Sequence, residues 1–209
     1  MSPAEAWAQL QRGNERFITG GAQHPRQDAD RRAELAHTQH PFAAVFCCSD
    51  SRLAVEIIFD LGIGDAFVIR NAGQVATSSA IGSIEYAVGI LAVPVLIVLS
   101  HDECGAVHAA IQSQRPDAAA LPPHIADLIA PIIPAVRSAA KVHEGGTVDV
   151  DLIDPAEAGR EHMRNTIAQL LEQSEMISAA VAAGTLAIVG GNYRLQEGKV
   201  AADVTVGVL

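Results

Sequence analysis

Val95-Leu96-Ile97-Val98-Leu99-Ser100-His101-Asp102-Glu103-Cys104-Gly105 begins as an unbroken aliphatic run and ends in polar, metal-binding side chains. A continuous apolar run, rather than an alternating one, is what a strand needs when both faces of a parallel sheet are covered. Extended backwards, the candidate strand covers residues 93–100. Residues 42–48, 66–69 and 186–190 have the same character. Helical patterns occupy the intervals at 53–60, 78–91, 106–114 and 125–141. Asp154-Pro155-Ala156-Glu157 then opens a long helical stretch, with Ile167, Leu170, Leu171, Ile177 and Val181 on one face, which stops at Gly184. Residues 199–206 follow the turn-like Gln196-Glu197-Gly198 and suit an antiparallel edge. Strand alternating with helix predicts an α/β fold. Its central sheet is mostly parallel, about four parallel strands plus a C-terminal antiparallel edge strand, flanked by helices with right-handed crossovers.

Upstream, Ser2-Pro3-Ala4-Glu5 reads as a helix start, with Ser2 as cap and Glu5 closing a capping box. Ala6, Trp7, Leu10 and Phe17 form its apolar stripe, which ends at Gly20-Gly21. A second short helix is expected near residues 30–36. This helical N-terminal arm, residues 1–40, has little core of its own and must lie on the main body or on a partner subunit. Gly145-Gly146 reads as a loop, and nothing cuts the chain, so residues 1–209 form one domain.

The chain has 209 residues, 49% of them hydrophobic but only 4% aromatic, so aliphatic side chains must build the core. That composition excludes disorder. A formal net charge of −10 disfavours nucleic acid and anionic membrane as partners. The first residues lack the apolar stretch of a signal peptide, and no run is long enough to span a bilayer, so a cytoplasmic location is expected. Cysteines stand at 47, 48 and 104, an odd count with two adjacent, which points to metal chemistry rather than to a disulfide framework.

In sheets of this kind ligands bind at the carboxyl ends of the strands. One strand ends at Cys48-Ser49-Asp50-Ser51-Arg52 and another runs into His101-Asp102-Glu103-Cys104. If these strands are neighbours, Cys48, His101 and Cys104 converge. Two thiolates, one imidazole and an open fourth position match a catalytic zinc site. Cys47, one residue earlier on the strand, should face the other way and belong to the core. Asp50 and Arg52 lie two apart on a turn and can form a bidentate pair. Arg52 would hold the carboxylate off the metal, leaving Asp50 to orient an attacking hydroxide. The histidines at 24, 37, 40, 108, 124, 143 and 162 read as solvated or capping residues. Neither Cys47 nor Cys48 lies six positions before an arginine, which removes a cysteine-phosphatase reading, and no nucleotide-binding glycine motif occurs.

Cys48-Ser49-Asp50-Ser51-Arg52 with His101-x-x-Cys104-Gly105 resembles the β-class carbonic anhydrases. So do Gly64-Asp65-x-Phe67-Val68-x-Arg70-Asn71-Ala72-Gly73, Ser83-Ile84-Glu85-Tyr86-Ala87-Val88 and Gly190-x-x-Tyr193. The resemblance implies one zinc ion per subunit on Cys48, His101 and Cys104, with the Asp50–Arg52 dyad beside it. In some members the matching aspartate becomes a fourth ligand in a closed, low-pH state. It further implies a homo-oligomer, dimer or tetramer, acting on carbon dioxide and bicarbonate. The expected reaction is reversible hydration of carbon dioxide to bicarbonate and a proton, by attack of zinc-bound hydroxide, with Asn71, Ala72 and Gly73 lining the substrate pocket. Some members bind inhibitory bicarbonate on a tryptophan, an arginine and a tyrosine. Arg70 and Tyr193 match two of these positions, while Val45 stands at the tryptophan's. Ser100 replaces the glycine that usually precedes the histidine. Carbonyl sulfide or carbon disulfide hydrolysis on the same scaffold and a non-catalytic zinc-binding regulatory module are the alternatives. A thiol-redox protein is disfavoured by the lack of C-x-x-C.

Overall fold

The computed structural model describes residues 1–141 and 148–209; Gly145-Gly146 and His143 lie outside the described residues. In chain order the elements are α1 (Pro3–Ile18), α2 (Ala29–Glu34), β1 (Ala43–Cys48), α3 (Val55–Ile58), β2 (Ala66–Asn71) and α4 (Ser78–Glu85). A π-helical turn, Tyr86–Ile90, leads to β3 (Val95–His101), α5 (Gly105–Gln112), α6 (Pro123–Ile129) and α7 (Ile133–Ala139). The chain closes with α8 (Pro155–Gln173), α9 (Glu175–Ala182), β4 (Ala187–Arg194) and β5 (Lys199–Val206).

The strands form one five-stranded sheet in the order β2-β1-β3-β4-β5. The pairs β1–β2, β1–β3 and β3–β4 are parallel and β4–β5 is antiparallel, as the apolar runs predict. Alternate residues of β1 feed two apolar layers. Ala43, Val45 and Cys47 face Leu10, Phe59 and Ile132 on one side. Ala44 and Phe46 face Ile84, Met163 and Leu170 on the other. β1 and β3 are buried along their whole length. β2 is not: Ala66, Phe67 and Val68 are half-exposed, because this strand is the sheet edge.

Where boundaries differ from the sequence pattern, the cause is local. The stretch 125–141 carries Pro131 and Pro134; it breaks into α6, a short 3-10 turn (Ala130–Ile132) and α7, since proline lacks the amide and clashes with the preceding turn. The long stretch after Asp154 divides at Ser174, whose hydroxyl accepts from the Ile177 amide and donates to Glu85 Oε1 at 2.6 Å. A serine side chain that caps one helix ends the other. The pattern at 53–60 shrinks to the single turn of α3, and the stretch 78–91 ends as the π-helical turn. β2 and β4 run past their apolar runs through Asn71 and Arg194, because ladder hydrogen bonds use backbone whatever the side chain.

The capping box of α1 is formed: Ser2 Oγ accepts from the Glu5 amide, and Glu5 Oε2 accepts from the Ser2 amide. The apolar face of α1, with Ala6, Trp7 and Leu10, is buried on its own chain. A Cβ at Gly13 would sit 1.9 Å from the Phe59 carbonyl oxygen, so only glycine permits this close approach. Asn14 secures the contact, donating to the Ile58 and Gly198 carbonyls and accepting from the Val200 amide. No residue of α2 is buried.

Below α1, the side chain of Asp60 is fully buried. It accepts from Arg16 Nε at 2.6 Å and from the Gln23 and His24 amides. Burial pushes this carboxyl up, but those donors outweigh it and hold it below the ordinary carboxylate value. A depressed folded-state pKa stabilises above the unfolded value, about 3.9 for aspartate, and the contribution is lost as pH falls through the folded one. Asp60→Asn should therefore be less stable than wild type at pH 7, with the difference narrowing below about pH 4. Denaturant unfolding across pH reads this directly, and parallel curves for the two proteins would show that the carboxylate's charge stabilises nothing.

Candidate metal centre

β1 lies directly beside β3, with Cys47 level with Leu99, so their carboxyl ends deliver Cys48 and His101 to the same rim. Cys104 follows a tight turn whose Glu103 takes a left-handed φ of 52°, and it stands at the N-cap of α5. The ligand atoms of Cys48, His101 and Cys104 all lie within 4.8 Å of one another, and all three residues are buried. His101 Nδ1 lies 2.8 Å from the Asp102 carbonyl oxygen, to which it donates. Nε2 is thereby left as a bare acceptor, buried and without a partner. An orphaned imidazole nitrogen facing two sulfurs fits a tetrahedral metal with one position free, and a backbone carbonyl on the other nitrogen is the usual way of orienting such a ligand.

The sulfurs are prepared unequally. The neighbouring Cys104 thiol and the Gly73 and Asp50 amides outweigh burial and hold the Cys48 thiol well below its ordinary value. The same contact, together with burial, pushes Cys104 up. Gly73 N lies 3.2 Å from Cys48 Sγ. Cys47 faces the core, where burial pushes its thiol up to about 12. All three cysteines are free thiols.

Asp50 and Arg52 form the bidentate pair that their spacing permits. Arg52 Nε donates to Oδ1 at 2.9 Å and Nη2 to Oδ2 at 2.8 Å, while the Arg52 amide also donates to Oδ1. Arg52 Nη2 reaches the Glu103 carbonyl at 3.1 Å, tying the two ligand-bearing loops together. Asp50 Oδ2 lies 4.0 Å from His101 Nε2, beside the triad but held on the guanidinium. Arg52 keeps this carboxyl well below the usual carboxylate range.

Asn71, Ala72 and Gly73 adjoin the cluster. Asn71 is level with Cys48 across the sheet, and its side chain both donates to and accepts from the Val75 backbone at 2.8 Å. Arg70 donates to the Cys48 and Asp50 carbonyls. Val45 is fully buried, Tyr193 nearly so, and Ser100 Oγ donates to the Gly191 carbonyl and Asn192 Oδ1. His24, His37, His40 and His124 are exposed, and the half-exposed His108 faces Glu103 at 3.5 Å.

His162 breaks the expectation for the remaining histidines. It is 3% exposed on α8, with Nε2 2.7 Å from the Gly73 carbonyl oxygen. The pattern that reveals it is the stripe Ala158, His162, Thr166 at four-residue spacing, all buried, which places the ring on the core side of the helix.

The profile of the carbonic anhydrase family matches residues 43–200. The chain belongs to the β-carbonic anhydrase family. It is 44% identical to carbonic anhydrase 2 of Mycobacterium tuberculosis over 198 residues, covering 95% of this chain and 91% of the relative. A carbonic anhydrase of Mycolicibacterium smegmatis is 42% identical, covering 95% of this chain and 92% of that one. Among solved structures, the β-carbonic anhydrase CcaA matches with a TM-score of 0.68 at 27% identity, covering 97% of this chain and 99% of that one. Tetrameric β-carbonic anhydrases of Sordaria macrospora share the fold, with a TM-score of 0.70 at 21% identity over 84% of this chain and 87% of theirs. Among the described residues no helix is long and apolar enough to cross a membrane.

Proposed function

We propose that this chain catalyses the reversible hydration of carbon dioxide to bicarbonate and a proton, with one zinc ion per subunit held by Cys48 Sγ, His101 Nε2 and Cys104 Sγ. The observation that carries the reading is the bare, buried Nε2 of His101 among two sulfurs, with an ion-paired carboxylate 4.0 Å away. Zinc bound there would supply the Lewis acidity that ionises water near neutral pH. The protein's own residues do the rest. Asp102's carbonyl fixes the His101 tautomer. Arg52 occupies both oxygens of Asp50, which keeps the carboxylate from closing onto the metal while leaving it ionised as a hydrogen-bond acceptor for the attacking water. If Arg52 releases it, Asp50 becomes the conditional fourth ligand of a closed state. Asn71, Ala72 and Gly73 line the small pocket for carbon dioxide.

A pure zinc-binding module would need no Asp50–Arg52 pair, so the dyad favours catalysis over storage. Hydrolysis of carbonyl sulfide or carbon disulfide would use the same groups. The reading includes a homo-oligomer, dimer or tetramer: Phe67 and Tyr86 form a tilted ring pair at 6.0 Å by the half-exposed β2 edge, and Ile90, on the same π-helical turn as Tyr86, is 68% exposed. The exposed α2 of the N-terminal arm is available to a partner subunit. A cytoplasmic location accords with three free thiols. Stopped-flow assays on zinc-quantified protein, with carbon dioxide, carbonyl sulfide and carbon disulfide in parallel, test the assignment. Carbon dioxide hydration should dominate; zinc-loaded protein inert toward it across pH would overturn the reading.

A further inference from the structure

Gly73 links the metal centre to α8, and both of its backbone polar groups are engaged. Its amide donates to Cys48 Sγ and its carbonyl accepts from His162, 89 residues further along the chain. Because a carbonyl can only accept, Nε2 carries the ring proton and Nδ1 is a bare acceptor, buried and unpartnered. Burial holds this imidazole neutral, pushing its pKa down. Thr166, one helical turn later, gives its hydroxyl proton chiefly to the His162 carbonyl at 2.9 Å and lies 3.4 Å from the next loop carbonyl, that of Gln74. The loop is also confined sterically. Gly73 has φ +80°, and a Cβ there would lie 2.9 Å from Ala106 Cβ and 3.0 Å from Ile132 Cδ1. Asn71 pins the ends of the turn through Val75, while the orientation of Gly73 itself answers to α8.

An imidazole that leaves one nitrogen unpartnered costs stability in a core, since a buried unsatisfied acceptor forfeits its hydration. A phenylalanine would fill similar space without that cost. What histidine adds is one directed N–H onto one carbonyl. We propose that His162 is a positioning residue: by holding the Gly73 carbonyl through Nε2, it fixes the Gly73 amide on Cys48 Sγ and so sets how tightly, and in what geometry, that sulfur grips the metal. The proposal rests on the metal reading above and extends it to a helix that contributes no ligand.

The test compares His162→Phe, which keeps the ring's bulk and loses the donor, with His162→Gln, whose amide can restore an N–H to the carbonyl. Zinc affinity is measured by chelator competition, and cobalt-loaded protein reports the thiolate-to-metal charge-transfer band, which a purely structural role would leave unchanged. His162→Phe should weaken zinc binding about 10–100-fold, the usual cost of losing an outer-shell partner, and should alter the cobalt band. His162→Gln should recover most of both. Wild-type zinc affinity and spectrum in a folded His162→Phe would overturn the proposal, as would a folded His162→Gln no better than phenylalanine. Should the phenylalanine variant fail to fold, cadmium-113-loaded wild type decides: scalar coupling between the metal and the Gly73 amide proton is expected, and its absence refutes the link. If wild type binds no metal at all, the metal reading fails instead, which is a separate result.

Discussion

His101→Ala should purify with almost no zinc and lose carbon dioxide hydration by on the order of 10³-fold or more. Removing the imidazole takes away one of the three ligand atoms that lie within 4.8 Å of one another and leaves only the two sulfurs. Two protein ligands fall short of the three that a catalytic zinc site uses. Cys48→Ser should behave alike, since serine replaces the soft, readily ionised donor with a hydroxyl. The fold should survive both changes: the site lies at the rim of the sheet, His101 belongs to neither apolar layer, and serine keeps the size of Cys48 at the edge of one of them. Elemental analysis with stopped-flow assay checks this. Normal zinc content and full turnover in His101→Ala would remove the triad from the enzyme.

Asp50→Asn is expected to keep its zinc and lose about 10²–10⁴-fold in activity, the range for removing a positioned proton acceptor. The amide is nearly the shape of the carboxylate, but one of its two atoms is a donor. It can no longer accept from both Arg52 nitrogens, nor present a second acceptor toward the attacking water. Since Arg52 holds the carboxyl far below its ordinary range, Asp50 stays ionised throughout the neutral and mildly acidic region. The sign follows: a depressed pKa preserves the ion pair above the ordinary value and loses it only as pH falls further. Wild-type activity near pH 6 should thus not be limited by protonation of Asp50. A variant with an unchanged pH–rate profile and unchanged turnover would exclude Asp50 from the reaction.

The ligand triad and its dyad were legible because each sits where an apolar run meets polar residues. Cys48 and His101 end runs that only a covered strand would tolerate, and Asp50 and Arg52 lie two residues apart on the turn that follows Cys48. Such features are local in the chain, and local spacing determines them. The capping box at Ser2 and Glu5 and the edge strand Lys199–Val206 were readable for the same reason. Proline placement within 125–141 was equally visible, yet the aliphatic pattern there suggested one helix where Pro131 and Pro134 impose a break.

By itself, then, the sequence of this β-carbonic anhydrase determined the α/β class, the antiparallel finish and the residues able to grip a metal, since periodicity and donor chemistry are properties of short segments. Only the tertiary structure decided that Gly13 must let the first helix touch Phe59, that β2 would be a half-exposed edge, and that His162 would turn inward to Gly73. Those outcomes depend on which surfaces meet across tens of residues. A histidine's neighbours along the chain do not reveal whose carbonyl its ring will find.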